Sequence, residues 1–312
     1  MYSPPTIRTK FLIISDTHGR DSSLQHLSTE RADVAIHCGD LTTDSTLAEF
    51  RSSIALLSSL NAPLKLVIAG NHDFTLDTPA FQRKLAKARL PLDKALVGEK
   101  YGDFGYARSL FEDETDNGII FLDQGTHHFA LANGASLTVY ASPYTPCSFP
   151  GKRGFEYSRL HGHNFEFEHV DVAITHGPPK GIMDYTLNRE RAGCPRLFAA
   201  VRRAKPRMHC FGHIHEQWGA KLVTWKKGSP TRKPCYFGDV DYENTFVIER
   251  RLNLQGEEES VQGRFYRTSH CTGDRRPLKW EEQTLFVNAA VGGINEEIQP
   301  AWLVEIELFK AF

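Results

Sequence analysis

Short apolar runs punctuate the first third of the chain, and each ends in a polar cluster. Phe11–Ser15 leads into Asp16-Thr17-His18-Gly19, Val34–Cys38 into Gly39-Asp40, and Leu64–Ala69 into Gly70-Asn71-His72-Asp73. Between the second and third runs, Leu47, Phe50, Ile54, Leu57 and Leu60 recur at helical spacing. Phe81, Leu85 and Leu90 predict a second helix after Pro79, stopped by Pro91. Strands of this length alternating with helices imply right-handed crossovers and a mostly parallel sheet. Ligands of such sheets sit at the carboxyl ends of the strands, so three polar clusters at three strand ends converge on one edge.

The middle of the chain reads differently. Ile119–Asp123, Thr126–Leu131 and Leu137–Ala141 predict three short strands, the last two joined through Asn133-Gly134, a hairpin-turn signal. An irregular stretch over 142–170 follows. Val172–Thr175 then predicts a strand ending in His176-Gly177-Pro178-Pro179, residues 193–204 a helix, and Arg207–Phe211 a strand ending in Gly212-His213-Ile214-His215. Residues 226–282 are polar and turn-rich, with only Phe246-Val247-Ile248 strand-like, and read as an insertion or elaborated edge. Leu285–Asn288 and Trp302–Leu308 read as closing strands. With no repeat or linker in view, a single domain over 1–312 is expected.

Charge and composition narrow the function. Lys+Arg 37 against Asp+Glu 38 leaves a net charge of −1, which argues against a basic nucleic-acid footprint and against an acidic disordered tail. At 40% hydrophobic and 11% aromatic, the chain can bury a substantial core. No apolar run approaches the roughly 18 residues of a membrane helix. The start, Met1 to Lys10, lacks the apolar segment of a secretory signal. The six cysteines are widely spaced, with no C-x-x-C pair, and read as reduced thiols. A soluble cytoplasmic protein with no membrane contact is the expectation; its oligomeric state is open.

Taken singly, a D-x-H, a G-D or a lone His is ordinary loop or capping chemistry. Five such clusters, each at the end of an apolar run, are not. In Gly212-His213-Ile214-His215, period-2 spacing puts both imidazoles on the same side. Carboxylate oxygen and imidazole nitrogen suit Mn, Fe, Zn or Ni better than Ca or Mg. The sense is a site for two divalent metal ions, with a bridging carboxylate to offset their repulsion. Such a pair generates a hydroxide at neutral pH and clamps the oxygens of an in-line displacement at phosphorus. His72 followed by Asp73 offers an imidazole with a carboxylate nearby, suited to acid catalysis on a leaving oxygen.

Other histidines carry blander readings. His161-Gly162-His163 follows no strand and reads as a surface or rim loop. His127 and His128 point to opposite faces of one strand. His37 and His209 read as core residues or as partners of a metal-bound imidazole. Lys152-Arg153 and Arg202-Arg203 are most simply solvated surface, although Arg153, and Arg20 beside the first cluster, could reach a substrate phosphate.

The order D-x-H, G-D, G-N-H-[DE], H, G-H-x-H resembles the calcineurin-like metallophosphoesterase superfamily, over residues 16–215. The resemblance implies a four-layer α-β-β-α sandwich, two mixed β-sheets flanked by helices. It implies that Asp16, His18 and His215 hold one metal and that Asn71, His176 and His213 hold the other. Asp40 bridges them, and His72 protonates or stabilises the leaving group with Asp73 orienting it. Asp171 to Pro179, Ala141 to Pro146, Pro206 to Glu216 and Phe286 to Ala290 are similar to stretches of the metallophosphoesterase-domain-containing protein family. Some animal members have Gly where this chain has His213, so an intact His213 implies a competent enzyme.

Protein Ser/Thr phosphatases carry G-D-x-V-D-R-G where this chain reads Gly39-Asp40-Leu41-Thr42-Thr43-Asp44-Ser45, and purple acid phosphatases place a Tyr where Thr43 sits. Gly39-Asp40-Leu41-Thr42 with Gly70-Asn71-His72-Asp73 looks more like the cyclic-nucleotide phosphodiesterase branch. The expected activity is hydrolysis of a small phosphodiester or nucleotide, with manganese the first choice of metal and no extended nucleic acid as partner. A phosphomonoesterase, a nuclease, or a nucleotide- or metal-binding regulatory module with vestigial activity are the alternatives.

Overall fold

The computed structural model of the chain describes residues 4–88, 91–228, 233–251, 265–292 and 298–311. Each apolar run becomes a strand. β1 (Thr6–Ile14), β2 (Val34–His37), β3 (Leu64–Val67) and β4 (Ile119–Phe121) lie side by side and parallel. The final strand, β15 (Ala301–Phe309), pairs antiparallel with β1, and β13 (Phe265–Ser269) runs parallel to β15 at the edge. A second mixed sheet has the order β12 (Val240–Arg250), β11 (Gly219–Trp225), β14 (Gln283–Asn288), β10 (Met208–Phe211), β9 (Val172–Thr175), β6 (Ser136–Ser142), β5 (Gly125–Ala130). The β5–β6 hairpin turns at Asn133-Gly134, where Gly134 adopts φ +87°. A two-stranded ribbon, β7 (Thr145–Cys147) with β8 (Glu156–Ser158), occupies the stretch read as irregular.

Three apolar clusters define four layers. Phe11, Ile13, Val34, Ile36 and Leu66 of the first sheet meet Val139, Val172, Ile174, Met208, Leu285 and Val287 of the second. Consecutive residues point the other way: Leu12, Ile14 and Val67 pack under Phe50, Ile54 and Leu57 of α1 (Leu47–Ser59) and Phe111 of α4 (Tyr106–Glu112). On the far side, Ala173, Phe211 and Phe286 pack against Leu197, Phe198 and Val201 of α5 (Pro195–Ala204). Strands covered on both faces read as near-continuous apolar runs, which is why these runs do not alternate. The sandwich read from the motifs is the observed architecture.

α1 starts where its sequence tells it to. Thr46 and Glu49 form a capping box: the Glu49 N–H donates to the Thr46 hydroxyl at 3.2 Å and the Thr46 N–H to the Glu49 carboxylate at 3.0 Å. α2 (Thr78–Ala86) opens at Pro79 behind an Asp77 cap. Leu90, assigned to that helix, lies outside the described residues.

Three expectations are corrected. α3 (Lys94–Tyr101) and α4 were not foreseen, and α3 buries none of its residues, so no apolar stripe marks it. Leu285–Asn288 does not close a sheet; it lies inside the second one, between β11 and β10. Within 226–282 the strand is β12, eleven residues long, and β13 follows it; parts of the segment, 229–232 and 252–264, lie outside the described residues. β12 is an edge strand with only Val240 buried, and its mostly exposed composition hides it. Among the described residues no helix is long and apolar enough to cross a membrane.

Candidate metal centre

β1, β2 and β3 of one sheet and β9 and β10 of the other deliver their carboxyl ends to one place. Asp16 and His18 follow β1, Asp40 follows β2, Asn71 and His72 follow β3, His176 follows β9, and His213 and His215 follow β10. Three sets of donor atoms each lie within 4.8 Å of one another: Asp16, His18 and His215; His18, Asp40 and His72; Asp40, His176 and His213. Asn71 joins the third set, its Oδ1 3.1 Å from His176 Nε2. All seven expected ligands are therefore brought together, and Asp40 is shared between sets.

The backbone is preset for this. Asp16, His18, Asp40 and His213 all have left-handed φ, between +48° and +67°. Such residues cost about 1–3 kcal/mol each and persist where surroundings fix them. Two glycines make the approach possible. A Cβ on Gly70 would overlap the Asp40 backbone nitrogen and carboxylate, and one on Gly212 would overlap the Asp16 carboxylate and the Ser15 side chain. Gly212→Ala is accordingly expected to displace Asp16 and weaken metal binding at that set by about 10–100-fold, the range for disturbed metal-site supports. Equilibrium metal titration of the variant checks this; unchanged affinity would contradict the placement of Asp16.

The imidazoles are oriented by backbone carbonyls. His18 Nδ1 donates to the Thr42 carbonyl at 3.1 Å, and His176 Nδ1 donates to the Cys38 carbonyl at 2.9 Å. With Nδ1 so engaged, each ring turns Nε2 towards the carboxylates. His176 Nε2 lies 3.3 Å from Asp40, and His215 Nε2 lies 3.1 Å from Asp16. Residues at the chain's far end brace two ligand segments. Val291 N–H donates to the Ser15 carbonyl at 2.9 Å and Gly292 N–H to the Asp16 carbonyl at 3.2 Å. The Gln299 side chain donates to the His215 carbonyl at 3.1 Å, and Asn288 to that of Ile214 at 2.9 Å.

The electrostatics ask for cations. Asp16, Asp40 and Asp73 are all buried, and among the described residues no Lys or Arg forms an ion pair with Asp16 or Asp40. Burial pushes the Asp16 and Asp40 carboxyls up, but the histidines outweigh it and hold both well below the usual carboxylate range. Burial drives His213 down to about 3, while for His176 it is outweighed by Asp40 and Asp16, which raise it to about 9. The Asn71 amide Nδ2 is buried without a hydrogen-bond partner. Buried anionic oxygens facing imidazole nitrogens, with no fixed positive charge beside them, fit a divalent metal pair.

His72, read from sequence as an acid and not a ligand, lies among the donors: its Nδ1 donates to the Thr43 carbonyl at 2.8 Å, its backbone N–H donates to Asp40 at 2.7 Å, and its ring shares a donor set with His18 and Asp40. The expectation that Asp73 orients His72 is corrected. Asp73 instead accepts from the N–H groups of Leu41, Thr42 and Gly70 and from the Thr42 hydroxyl, at 2.7–3.1 Å. It ties the β2 and β3 loops together, and Thr43 takes the orienting role. A backbone carbonyl has no side-chain signature, so sequence could not assign it.

The remaining candidates fall outside the donor sets. Arg20 sits at the start of the turn Asp21–Thr29, with Nη1 buried and without a hydrogen-bond partner. Arg153 is exposed, in a loop whose Gly154 N–H donates to the Asn71 carbonyl at 2.9 Å. His37 and His209 are buried, hydrogen-bonded to the hydroxyls of Thr17 and Thr175. His163 stacks on Tyr144, and His127 and His128 bond locally within the β5–β6 hairpin region.

Comparison with known proteins agrees with this geometry. The family model for calcineurin-like phosphoesterases matches residues 9–217. Metallophosphoesterase domain-containing protein 1 of Homo sapiens is 34% identical over 217 residues, 68% of this chain and 62% of that protein. A UPF0046 protein of Caenorhabditis elegans is 32% identical over 226 residues, 70% of this chain and 68% of its own length. A protein of Emericella nidulans titled probable rhamnogalacturonate lyase C is 30% identical over 243 residues, 77% of this chain but 20% of that one. The chain thus spans less than two thirds of the human relative's length.

Proposed function

This chain belongs to the calcineurin-like phosphoesterase family, and from that premise we propose that it is a dinuclear metal-dependent phosphodiesterase, acting in the cytoplasm on a small phosphodiester such as a cyclic nucleotide. The observation that carries the reading is that Asp40 is shared between a set with His18 and His72 of the first sheet and a set with His176 and His213 of the second. Asp16, His18 and His215 would hold one ion, and Asn71, His176 and His213 the other, with Asp40 the carboxylate available to both. When bound, divalent ions, manganese in this reading, supply an activated water and neutralise phosphoryl oxygens.

The protein's own part is orientation and proton transfer. Because Nδ1 of His72 is committed to the Thr43 carbonyl, Nε2 is the atom that delivers a proton to the leaving oxygen. The near-neutral chain offers no extended basic track, which favours a small substrate over a nucleic acid backbone. All six cysteines are unpaired, which fits a reducing compartment.

Metal-stripped protein resupplied with Mn²⁺ should hydrolyse an activated aryl phosphodiester, and faster than the matching monoester. Faster monoester turnover would overturn the diester preference, and two bound metals with no turnover would overturn the enzymatic reading.

A further inference from the structure

Outside the metal centre, one hollow is lined by four basic side chains. A cavity of about 210 Å³ lies behind the His176 turn, lined by Arg159, Lys180, Arg191 and Arg196 together with Pro146, Tyr157, Leu160 and the Gly193–Cys194 backbone. None of the seven metal-ligand candidates lines it. Its wall is continuous with the metal centre all the same. Gly177-Pro178-Pro179-Lys180 runs on from His176, and Cys194 is laced to it through N–H donation to the Pro178 carbonyl and acceptance from Lys180 N–H, both at 3.0 Å.

Four cations around one hollow raise the local positive potential even where Arg159, Lys180 and Arg196 are exposed to solvent, and that potential draws an anion. Only Arg191 is relieved from within, by Asp184 at 2.6 Å. Asp184 is itself fully used, accepting also from the N–H groups of Gly181 and Gly193. Arg159, Lys180 and Arg196 have no ion pair among the described residues. Carboxylates and cations are nearly equal in number along the chain, so the excess belongs to this place, not to composition. A further feature points the same way: the cavity lies at the positive end of α5, whose cap is Cys194.

We propose that this cavity binds the phosphate group of a small phosphorylated molecule, at a site separate from the metal centre. Guanidinium forks from Arg159 and Arg196 match phosphate oxygens in pairs, and Lys180 adds a point charge. A hollow of about 210 Å³ suits a small molecule better than a polymer, which would need a stripe of charge. The proposal does not depend on the phosphodiesterase reading.

Inorganic phosphate titrated calorimetrically into the full-length protein is the test. The metal centre is silenced by chelation and by Asp40→Asn, so any phosphate bound there is lost and any bound in the cavity remains. A saturable site should persist under those conditions. It should weaken tenfold or more in Arg159→Ala/Arg196→Ala, and several-fold in Lys180→Gln, with unchanged circular dichroism and melting temperature. The exposed pair Arg51→Ala/Lys94→Ala, which removes equal charge elsewhere, should leave it intact. Absence of a metal-independent site up to 10-millimolar-scale phosphate (about the strength of a weak anion pocket) overturns the proposal. So does equal loss in the control pair, which would mark bulk electrostatics only. Should the double variant unfold, Lys180→Gln alone decides.

Discussion

Asp40→Ala is expected to lose metal and activity together. Asp40 is buried, shared between two donor sets, 3.3 Å from His176 and hydrogen-bonded by the His72 N–H. Its removal leaves the two ions without the carboxylate that offsets their mutual repulsion, and it frees the His72 loop. Metal-assisted charge stabilisation is worth several kcal/mol, so turnover should fall by about a thousandfold or more. Metal analysis after gel filtration should find less than the full pair bound. A variant that keeps both ions would contradict the bridge, whatever its activity.

His72→Ala should separate what Asp40→Ala joins. The substitution keeps the backbone N–H that holds Asp40 and removes only the imidazole above it. Both metals should stay bound while turnover drops by about 10²–10⁴-fold, the usual worth of a positioned acid. The loss should depend on the leaving group. A nitrophenolate departs with little help, so an activated aryl diester should suffer least and an alkyl or nucleoside diester most. Equal losses across that series would remove His72 from proton transfer. Thr43 cannot be tested in the same way, because its contribution is a carbonyl that every substitution retains.

The donor set was legible because each donor follows a strand buried on both faces, where an unbroken apolar run stops abruptly at polar residues. What lies between those runs was less legible, for physical reasons. α3 buries nothing, so its sequence carries no periodic trace of the fold. β12 is held by hydrogen bonds to β11 along one side and leaves most side chains in water, where polar residues serve as well as apolar ones. The partnership of Asp73 was misread because adjacency in sequence suggested His72, whereas the turn after Gly70 points the carboxylate back to Leu41 and Thr42. Arg20 was put forward from its place beside the first cluster and Arg153 from a short basic run, signals too local to say whether either side chain reaches a substrate phosphate.

The bracing of Asp16 and His215 from residues 288–299 has a consequence for the order in which the protein is made. By residue 215 a growing chain already carries every candidate ligand, and the family match is complete two residues later. Yet β1 still lacks β15, its antiparallel partner, and β10 still lacks β14. The groups that hold the Ser15, Asp16 and His215 carbonyls are not yet synthesised. The segments carrying Asp16 and His215 would then lack part of their bracing, so a chain ended behind Gln217 is expected to hold the same donors less firmly and to bind metal more weakly.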